Sequence, residues 1–330
     1  MEAQYLELAK RIGLGGSKII PELFKMVSDL DEADLLLALP GSAPEMAEKF
    51  GRPLEEMEKK LQHLFHKGLV FPSAKKVPVI YRACRDLVQF HDATILWPEA
   101  PRSFLDRWQD YMEQEWPDAA KAISQMLPRP FTRVIPVGVA VSATTHILAF
   151  EDIKEIIEKS RSLAVTKCTC RLIAHKCDKP LEACLQVNNA ADYSISRGTG
   201  RSLTKKEAMD LLRETEEAGL IHVVVNKQDV DHFICNCCAC CCQTFPILIK
   251  YGISVVEPSR FAAQVDPDLC TACETCLGRC FFGAITINDI AEINLEKRLG
   301  CGLCQVTCPT EAISMKEIRK QDFVPEKMFG

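Results

Sequence analysis

Cysteine is the residue type with the most evident chemistry in this chain. Eighteen cysteines occur among 330 residues: Cys84 alone in the first half, ten between 168 and 242, and seven between 270 and 308. Many are separated by one to three residues, and thiols that close cannot all pair in unstrained disulfides. The sequence therefore predicts thiolate ligation of metal rather than a disulfide framework.

The C-terminal cysteines form two related runs. The first run has the spacing C-x2-C-x2-C-x3-C and comprises Cys270, Cys273, Cys276 and Cys280. The second run repeats the latter part of that spacing and comprises Cys301, Cys304 and Cys308, followed by Pro309. Three thiolates from one tight loop, completed by a distant fourth, can hold one iron each in a four-iron cluster.

This segment closely resembles bacterial ferredoxins that bind two [4Fe-4S] clusters, including the Gly283-Ala-Ile285 and Glu311-Ala-Ile313 strand starts that follow the cysteine runs. In such modules the fourth cysteine of each run ligates the other cluster. The resemblance implies two β-hairpin/helix halves around the clusters. It also implies a first cluster held by Cys270, Cys273, Cys276 and Cys308. A zinc ribbon is the less favoured alternative, because this spacing is not typical of zinc sites.

The second cluster site departs from the ferredoxin pattern. Arg298 stands where the repeat requires its first cysteine, and a guanidinium has no lone pair to offer iron. The site therefore keeps only Cys280, Cys301 and Cys304. Three outcomes follow: a [3Fe-4S] cluster, a [4Fe-4S] cluster with a solvent, carboxylate or remote thiolate ligand, or a vacant pocket. We favour an occupied site with altered ligation, because exposed thiols would otherwise be open to oxidation.

The ten central cysteines fall into two sequence groups. The first group supplies four thiolates within seventeen residues: Cys168, Cys170, Cys177 and Cys184. The second group packs six into eight residues: Cys235, Cys237, Cys238, Cys240, Cys241 and Cys242. Sulfur ligands without carboxylates suit an iron–sulfur cluster or zinc, and the neighbouring module favours iron–sulfur. Ten thiols suffice for two four-thiolate clusters with two left over, so we expect a subset to be ligands.

The whole layout resembles 4Fe-4S-binding proteins of anaerobes, which implies cluster binding and redox work but no particular substrate. Other residues are given simpler interpretations. Cys84 is predicted to be a small buried hydrophobe. We expect His175 and His232 to be surface or satisfied histidines rather than cluster ligands. Arg171, next to Cys170, is hypothesised to temper the negative charge of a thiolate cluster.

The predicted fold class is α+β, in four parts. These are a winged-helix-like helical domain over 1–100, a helical/β connector over 101–160, a cysteine-rich α/β iron–sulfur domain over 161–260 and a ferredoxin-type domain over 261–330. In the first domain, helices are predicted over 33–39, from Ser42 to Gly51 and from Pro53 to Gly68, followed by β-prone segments at 69–71 and 77–81.

Further elements are predicted downstream. The aromatic residues Phe104, Trp108, Tyr111 and Trp116 recur at roughly helical spacing and are expected to be core. A β-like segment over 134–141, a helix over 152–160 and a strand over 163–166 should follow. A capping box formed by Thr204 and Glu207 predicts a helix that ends at Gly219, before a buried strand over 221–225.

Charge and hydropathy exclude several function classes. The formal net charge of -5, from 40 basic and 45 acidic residues, gives no polycation for nucleic acid or anionic lipid. The third predicted helix carries three acids against three lysines, so a nucleic-acid partner is not expected. The N-terminus does not read as a secretory signal and the longest apolar tract, 134–150, is too short to span a bilayer. We therefore predict a cytoplasmic protein without membrane insertion.

Electron transfer through two or more [4Fe-4S] clusters, with one site as a candidate for [3Fe-4S], is the leading functional hypothesis. It requires a redox partner protein, and it leaves homo-oligomerisation open. One alternative is an oxidoreductase that binds substrate at an open iron; another is a redox-sensing winged-helix regulator. The chain has no Gly-x-Gly-x-x-Gly after a predicted strand, so nothing in it favours a bound nicotinamide or flavin.

Overall fold

The computed structural model describes residues 1–73, 77–137 and 152–327. The chain divides into two compact units. The first comprises Met1–Pro117 with Leu172–Ala174, and the second comprises Asp118–Arg171 with His175–Gly330. The domain boundaries expected at 100, 160 and 260 stay predictions. None of the helices in the described residues is both long and apolar enough to cross a membrane.

The first unit is mainly helical. Its helices are α1 (Ala3–Arg11), α2 (Ile19–Val27), α3 (Leu30–Ala38), α4 (Ala43–Phe50), α5 (Leu54–Lys67), α6 (Leu87–Ile95) and α7 (Arg102–Gln114). A small antiparallel sheet of order β1-β3-β2 is built from β1 (Gly41–Ser42), β2 (Val70–Ser73) and β3 (Ile80–Ala83).

Local capping signals explain the bounds of α4 and α5. The Ser42 hydroxyl accepts the Glu45 N–H and the Glu45 carboxylate accepts the Ser42 N–H, so α4 begins as the capping box predicts. Gly51 and Gly68 adopt left-handed backbone after the two helices and end them. The predicted helices and hairpin strands are confirmed within a few residues, except that the turn at 74–76 lies outside the described residues. The winged-helix class itself stays a prediction.

Aromatic packing forms the core of the first unit. The rings of Phe24 and Phe90 stack with centroids 3.9 Å apart, and Trp108 contacts Phe90 at 5.1 Å and Tyr111 at 5.9 Å. Phe104, Trp108 and Tyr111 are buried, as the aromatic stripe predicts. Cys84 is also buried, and burial raises the pKa of its thiol to about 12. The interpretation of Cys84 as a small hydrophobe is therefore confirmed.

The second unit is built on a seven-stranded sheet of order β10-β4-β8-β9-β6-β5-β7. Only β10 and β4 pair in parallel among its described neighbours. Its strands are β4 (Thr132–Val134), β5 (Leu163–Lys167), β6 (Glu182–Val187), β7 (Gly200–Ser202), β8 (Ile221–Val225), β9 (Phe233–Cys237) and β10 (Val256–Glu257). The strands predicted at 163–166 and 221–225 are confirmed. The strand predicted over 134–141 overlaps β4 only at Val134, and its part beyond 137 lies outside the described residues.

The described residues between 116 and 251 form six helices. They are α8 (Trp116–Met126), α9 (Ile153–Lys159), α10 (Thr169–Ala174), α11 (Asn189–Ser196), α12 (Lys205–Glu217) and α13 (Phe245–Tyr251). The capping box at Thr204 and Glu207 starts α12 as predicted. Side chains alternate between faces along a strand, so Val224 packs with residues of α9 and α12 while Val223 packs with the cysteine side.

The C-terminal segment forms a small α+β module. Its elements are β11 (Phe261–Val265), α14 (Thr275–Arg279), β12 (Ile285–Ile287), β13 (Ala291–Ile293), α15 (Leu303–Val306) and β14 (Ile313–Glu317), followed by a 3-10 turn at Gln321–Phe323. The strands after the cysteine runs begin at Ile285 and Ile313, as predicted. The resemblance implied two hairpin/helix halves. Instead, β12 and β13 form one local hairpin, while the first and last strands, β11 and β14, pair across the module.

Candidate metal centres

Four cysteines of the C-terminal module surround one hollow. The hollow is partly open to solvent, and Ile287, Ala291 and Ile313 provide aliphatic lining. The thiols that line it are the four expected to hold the first cluster: Cys270, Cys273, Cys276 and Cys308. Ala272 and Glu274 adopt left-handed backbone between these cysteines, which bends the loop around a common centre. The donor set and the hollow fit a [4Fe-4S] cluster.

Hydrogen-bond donors surround the sulfurs of this hollow. Thr275 Oγ1 lies 3.4 Å from Cys273 Sγ, and the Ala291 N–H donates to Cys270 Sγ at 3.4 Å. The hydrogen bond from Thr275 lowers the pKa of Cys273. Burial opposes ionisation of Cys308, but hydrogen bonds from Thr310 and from backbone N–H groups outweigh it and lower that pKa too. Both thiols are therefore inclined to the thiolate form that binds metal.

The second module site is short of one thiol. Cys280, Cys301 and Cys304 lie close enough for their charges to interact. Burial raises the pKa of Cys301 to about 11, and burial with the neighbouring sulfurs raises the pKa of Cys304 further. Arg298 lies in the coil before Gly300 and is half-buried. All three thiols pack against the same hydrophobic core.

The module shares its hydrophobic core with the seven-stranded sheet. The Val137 N–H donates to the Cys301 carbonyl at 2.9 Å, and Phe245 packs edge to face on Phe282 with ring centroids 5.2 Å apart. Arg279, adjacent to Cys280, donates to the Glu216 and Glu217 carbonyls at 3.0 and 2.9 Å. One cluster of buried residues therefore includes Cys237 and Cys242 from the sheet side and Cys276 from the module.

The structure regroups the ten central cysteines. Sequence proximity suggested one set at 168–184 and another at 235–242. Strand pairing instead sets Leu185 opposite Ile234, which brings Cys184 beside Cys235 with their Sγ atoms 4.0 Å apart. Cys177 leaves the first set and joins cysteines from the turn after β9.

Six thiols form a connected chain, which we call the six-thiol group. Hydrogen bonds or close Sγ contacts link, in order, Cys168, Cys170, Cys242, Cys237, Cys235 and Cys184. The hydrogen bond with Cys170 lowers the pKa of Cys168 to about 7, and bonds from Cys170 and Cys237 lower that of Cys242. The pKa values of Cys170 and Cys237 are raised by the same contacts with their neighbours. Sulfurs at this spacing cannot all ionise without a compensating cation.

The other four thiols form the four-thiol group: Cys177, Cys238, Cys240 and Cys241. Their Sγ atoms all lie within 4.8 Å of one another. Arg171, which is only 4% exposed, reaches this group with its Nη1 3.7 Å from Cys238 Sγ and 3.0 Å from the Asn236 carbonyl. Burial disfavours a charged Arg171, but the negative charges of Cys168 and Cys238 raise its pKa. This position agrees with the hypothesis that Arg171 tempers thiolate charge.

A buried polar network on the opposite face of the sheet was missed by sequence reasoning. His222 is fully buried, and its ring contacts Asn236 Oδ1 at 2.6 Å and Glu216 Oε1 at 2.9 Å. Asn236 also donates to the Ala183 carbonyl at 2.6 Å, which fixes β9 between its two flanking cysteines. The available signal was His222 itself, a polar residue inside the segment 221–225 that was predicted to be a buried strand. By contrast, His175 and His232 are exposed, and His232 is bonded to Asp231.

Comparison with known families bears on the C-terminal module alone. Residues 263–286 match the family described as a 4Fe-4S binding domain, a segment that contains Cys270, Cys273, Cys276 and Cys280. No curated protein and no solved structure matches the chain. The match indicates [4Fe-4S] cluster binding, and the hollow described above supplies thiols to hold it. Residues 263–286 are therefore identified as a 4Fe-4S binding domain.

Proposed function

We propose that this protein transfers electrons through several iron–sulfur clusters to or from a redox partner protein. A [4Fe-4S] cluster is held by Cys270, Cys273, Cys276 and Cys308, in the manner of a bacterial two-cluster ferredoxin. A second cluster with altered ligation is held by Cys280, Cys301 and Cys304. The six-thiol group holds a further cluster with a subset of its cysteines.

One observation carries this proposal: thiols of the module and of the six-thiol group border the same hydrophobic core. Electron tunnelling weakens steeply with distance, so a relay requires clusters that are close and rigidly held. The contact between Phe245 and Phe282, and the bonds from Arg279 to the end of α12, supply that rigidity. Separate storage or structural clusters would not require a common core.

The residues around the first cluster tune its potential rather than perform acid–base chemistry. When bound, the cluster supplies one-electron redox chemistry. Thr275, Thr310 and the Ala291 N–H donate towards its ligand sulfurs, which favours the more negative, reduced form and raises the reduction potential. No catalytic side chain is needed for this function.

The partner of the first unit is proposed to be a protein rather than nucleic acid. A helix that binds phosphates needs free basic side chains. All three lysines of α5 are already engaged in ion pairs: Lys59 with Glu55, Lys60 with Asp31 and Lys67 with Glu32. This pairing weakens the alternative of a DNA-binding regulator.

Metal analysis of anaerobically purified protein tests the proposal. We expect iron and acid-labile sulfide in equal amounts, and reversible bleaching of visible absorbance by reduced methyl viologen. The variant Cys273→Ser should lose about four irons per chain. The matched control Cys84→Ala removes a buried cysteine far from these sites in sequence and should keep the full iron content. Protein without iron, or with clusters that methyl viologen does not reduce, would sink the proposal.

A further inference from the structure

The four-thiol group is distinguished by the mutual proximity of all its sulfurs, which lie within 4.8 Å of one another. Cys177 Sγ lies 3.9 Å from Cys238 Sγ and 3.7 Å from Cys241 Sγ, and Cys240 Sγ lies 3.8 Å from Cys241 Sγ. A tetrahedral zinc ion with Zn–S bonds of about 2.3 Å places its sulfurs about 3.8 Å apart. These three separations match edges of a tetrahedron around one metal ion, and the other three are at most 4.8 Å.

The contrast with the other cysteines strengthens this interpretation. In a [4Fe-4S] cluster each thiolate binds a different iron, so the ligand sulfurs lie farther apart than around one ion. In the part of the chain that the structure describes, the four-thiol group is the one set of three or more metal-binding side chains whose ligand atoms are mutually within 4.8 Å. No three of the four thiols around the module hollow lie mutually within that limit, which agrees with ligands that bind separate irons.

The surroundings of the four-thiol group suit a metal tetrathiolate. Four thiolates around a divalent ion carry a net charge of minus two, which needs nearby donors. Backbone N–H groups of Lys179 and Lys176 donate to the sulfurs of Cys177 and Cys241. The buried guanidinium of Arg171 reaches Cys238, and its Nε and Nη2 atoms have no hydrogen-bond partner among the described residues. Such outer contacts orient metal ligands and stabilise their charged form.

We propose that Cys177, Cys238, Cys240 and Cys241 bind one Zn²⁺ ion in a closed structural site. Binding converts the four thiols to thiolates and releases their protons to solvent, with no change of oxidation state. Because all four positions are filled by cysteine, the ion has no open position for substrate. The ion joins the loop at Cys177 to the turn after β9, and so fixes Cys237 and Cys242, which flank that turn and belong to the six-thiol group.

Zinc, iron and sulfide contents of the full-length chain, purified anaerobically, test the site. Wild-type protein should contain about one zinc ion per chain, with four sulfur neighbours at about 2.3 Å in zinc X-ray absorption spectra. Cys240 is exposed, so Cys240→Ser should fold, lose zinc and keep its iron and sulfide. Cys273→Ser should lose iron and keep zinc, and Cys84→Ala should keep both.

Cobalt substitution gives a second readout. The Co²⁺-loaded protein should show the visible bands of a tetrahedral tetrathiolate, and Cys240→Ser should lose them. The proposal is overturned if Cys240→Ser retains zinc. It is also overturned if this variant loses iron instead of zinc, whether or not sulfide is lost with the iron. Zinc and iron are measured separately, so the zinc proposal can still be tested if the electron-transfer proposal fails.

Discussion

The ring of Phe245 meets the ring of Phe282 edge to face, with centroids 5.2 Å apart and planes inclined by 75°. Phe245 lies three residues after Cys242, at the start of α13, and Phe282 lies two residues after Cys280. The contact therefore joins the six-thiol group to the second module site. Both rings belong to the hydrophobic core that the module and the sheet share.

Removing this contact should loosen the two sites together. We expect Phe282→Ala to lower the free energy of unfolding. The loss should comprise the contribution of the buried ring surface and about 1 kcal/mol for the aromatic pair. It should also speed loss of visible cluster absorbance on warming. Phe282→Leu keeps an apolar side chain, so it should lose only the aromatic-pair contribution to the free energy of unfolding. Equal stability of the two variants in urea titrations would contradict the role given to the pair.

Gly300 should tolerate no side chain. Gly300 directly precedes Cys301 and has a φ of +69°. A Cβ added to it would overlap the carbonyl oxygen of Phe261. We expect Gly300→Ala to cost more than about 4 kcal/mol and to deplete iron from the second module site. Gly283 also has a positive φ but nothing within 4 Å of an added Cβ, so Gly283→Ala should cost about 1–2 kcal/mol. Similar unfolding midpoints for the two variants would refute the clash.

Restoring a thiol at position 298 should change the second module site. We expect wild-type protein, when oxidised, to show the spin-half signal of a [3Fe-4S] cluster, and Arg298→Cys to lose that signal while gaining about one iron per chain. Lys297→Cys is the control, because it adds a cysteine one residue away at an exposed position. A signal that survives in Arg298→Cys, or vanishes in Lys297→Cys, would argue against the assignment.

Arg171 should support metal binding without being a ligand. Its side chain is within reach of Cys238 and is attracted to the charge of Cys168, so it serves both cysteine groups. Loss of an outer contact of this kind weakens metal affinity about 10- to 100-fold. We expect that loss in Arg171→Leu, and a partial loss in Arg171→Lys, in chelator competition assays. Arg213 is exposed, so Arg213→Leu should have the metal affinity of wild type. An Arg171→Leu variant with wild-type metal affinity would contradict the supporting role of Arg171.

Local signals made part of the fold predictable. The ends of α4, α5 and α12 follow from capping residues and glycines a few positions away, so their sequence alone determines them. The strand β8 follows from an apolar run that only His222 interrupts and that begins two residues after Gly219. The cysteine runs of the module likewise have a spacing that only a tight cluster-binding loop explains.

Long-range pairing was not predictable in the same way. Cys184 and Cys235 meet because β6 and β9 are neighbours in the sheet, although 51 residues separate them along the chain. Spacing therefore grouped Cys177 with Cys184, whereas the fold places it with Cys241. The buried pair of His222 and Glu216 also depends on how α12 lies against β8, which no local pattern encodes.

Electron paramagnetic resonance of the fully reduced protein tests the relay most directly. Reduced clusters that share one core should interact magnetically. The wild-type spectrum added to that of the double variant should then differ from the sum of the two single-variant spectra, where Cys273→Ser lacks the first module cluster and Cys184→Ser lacks a thiol of the six-thiol group. Two sums that are equal, or a reduced protein without any cluster signal, would contradict the account.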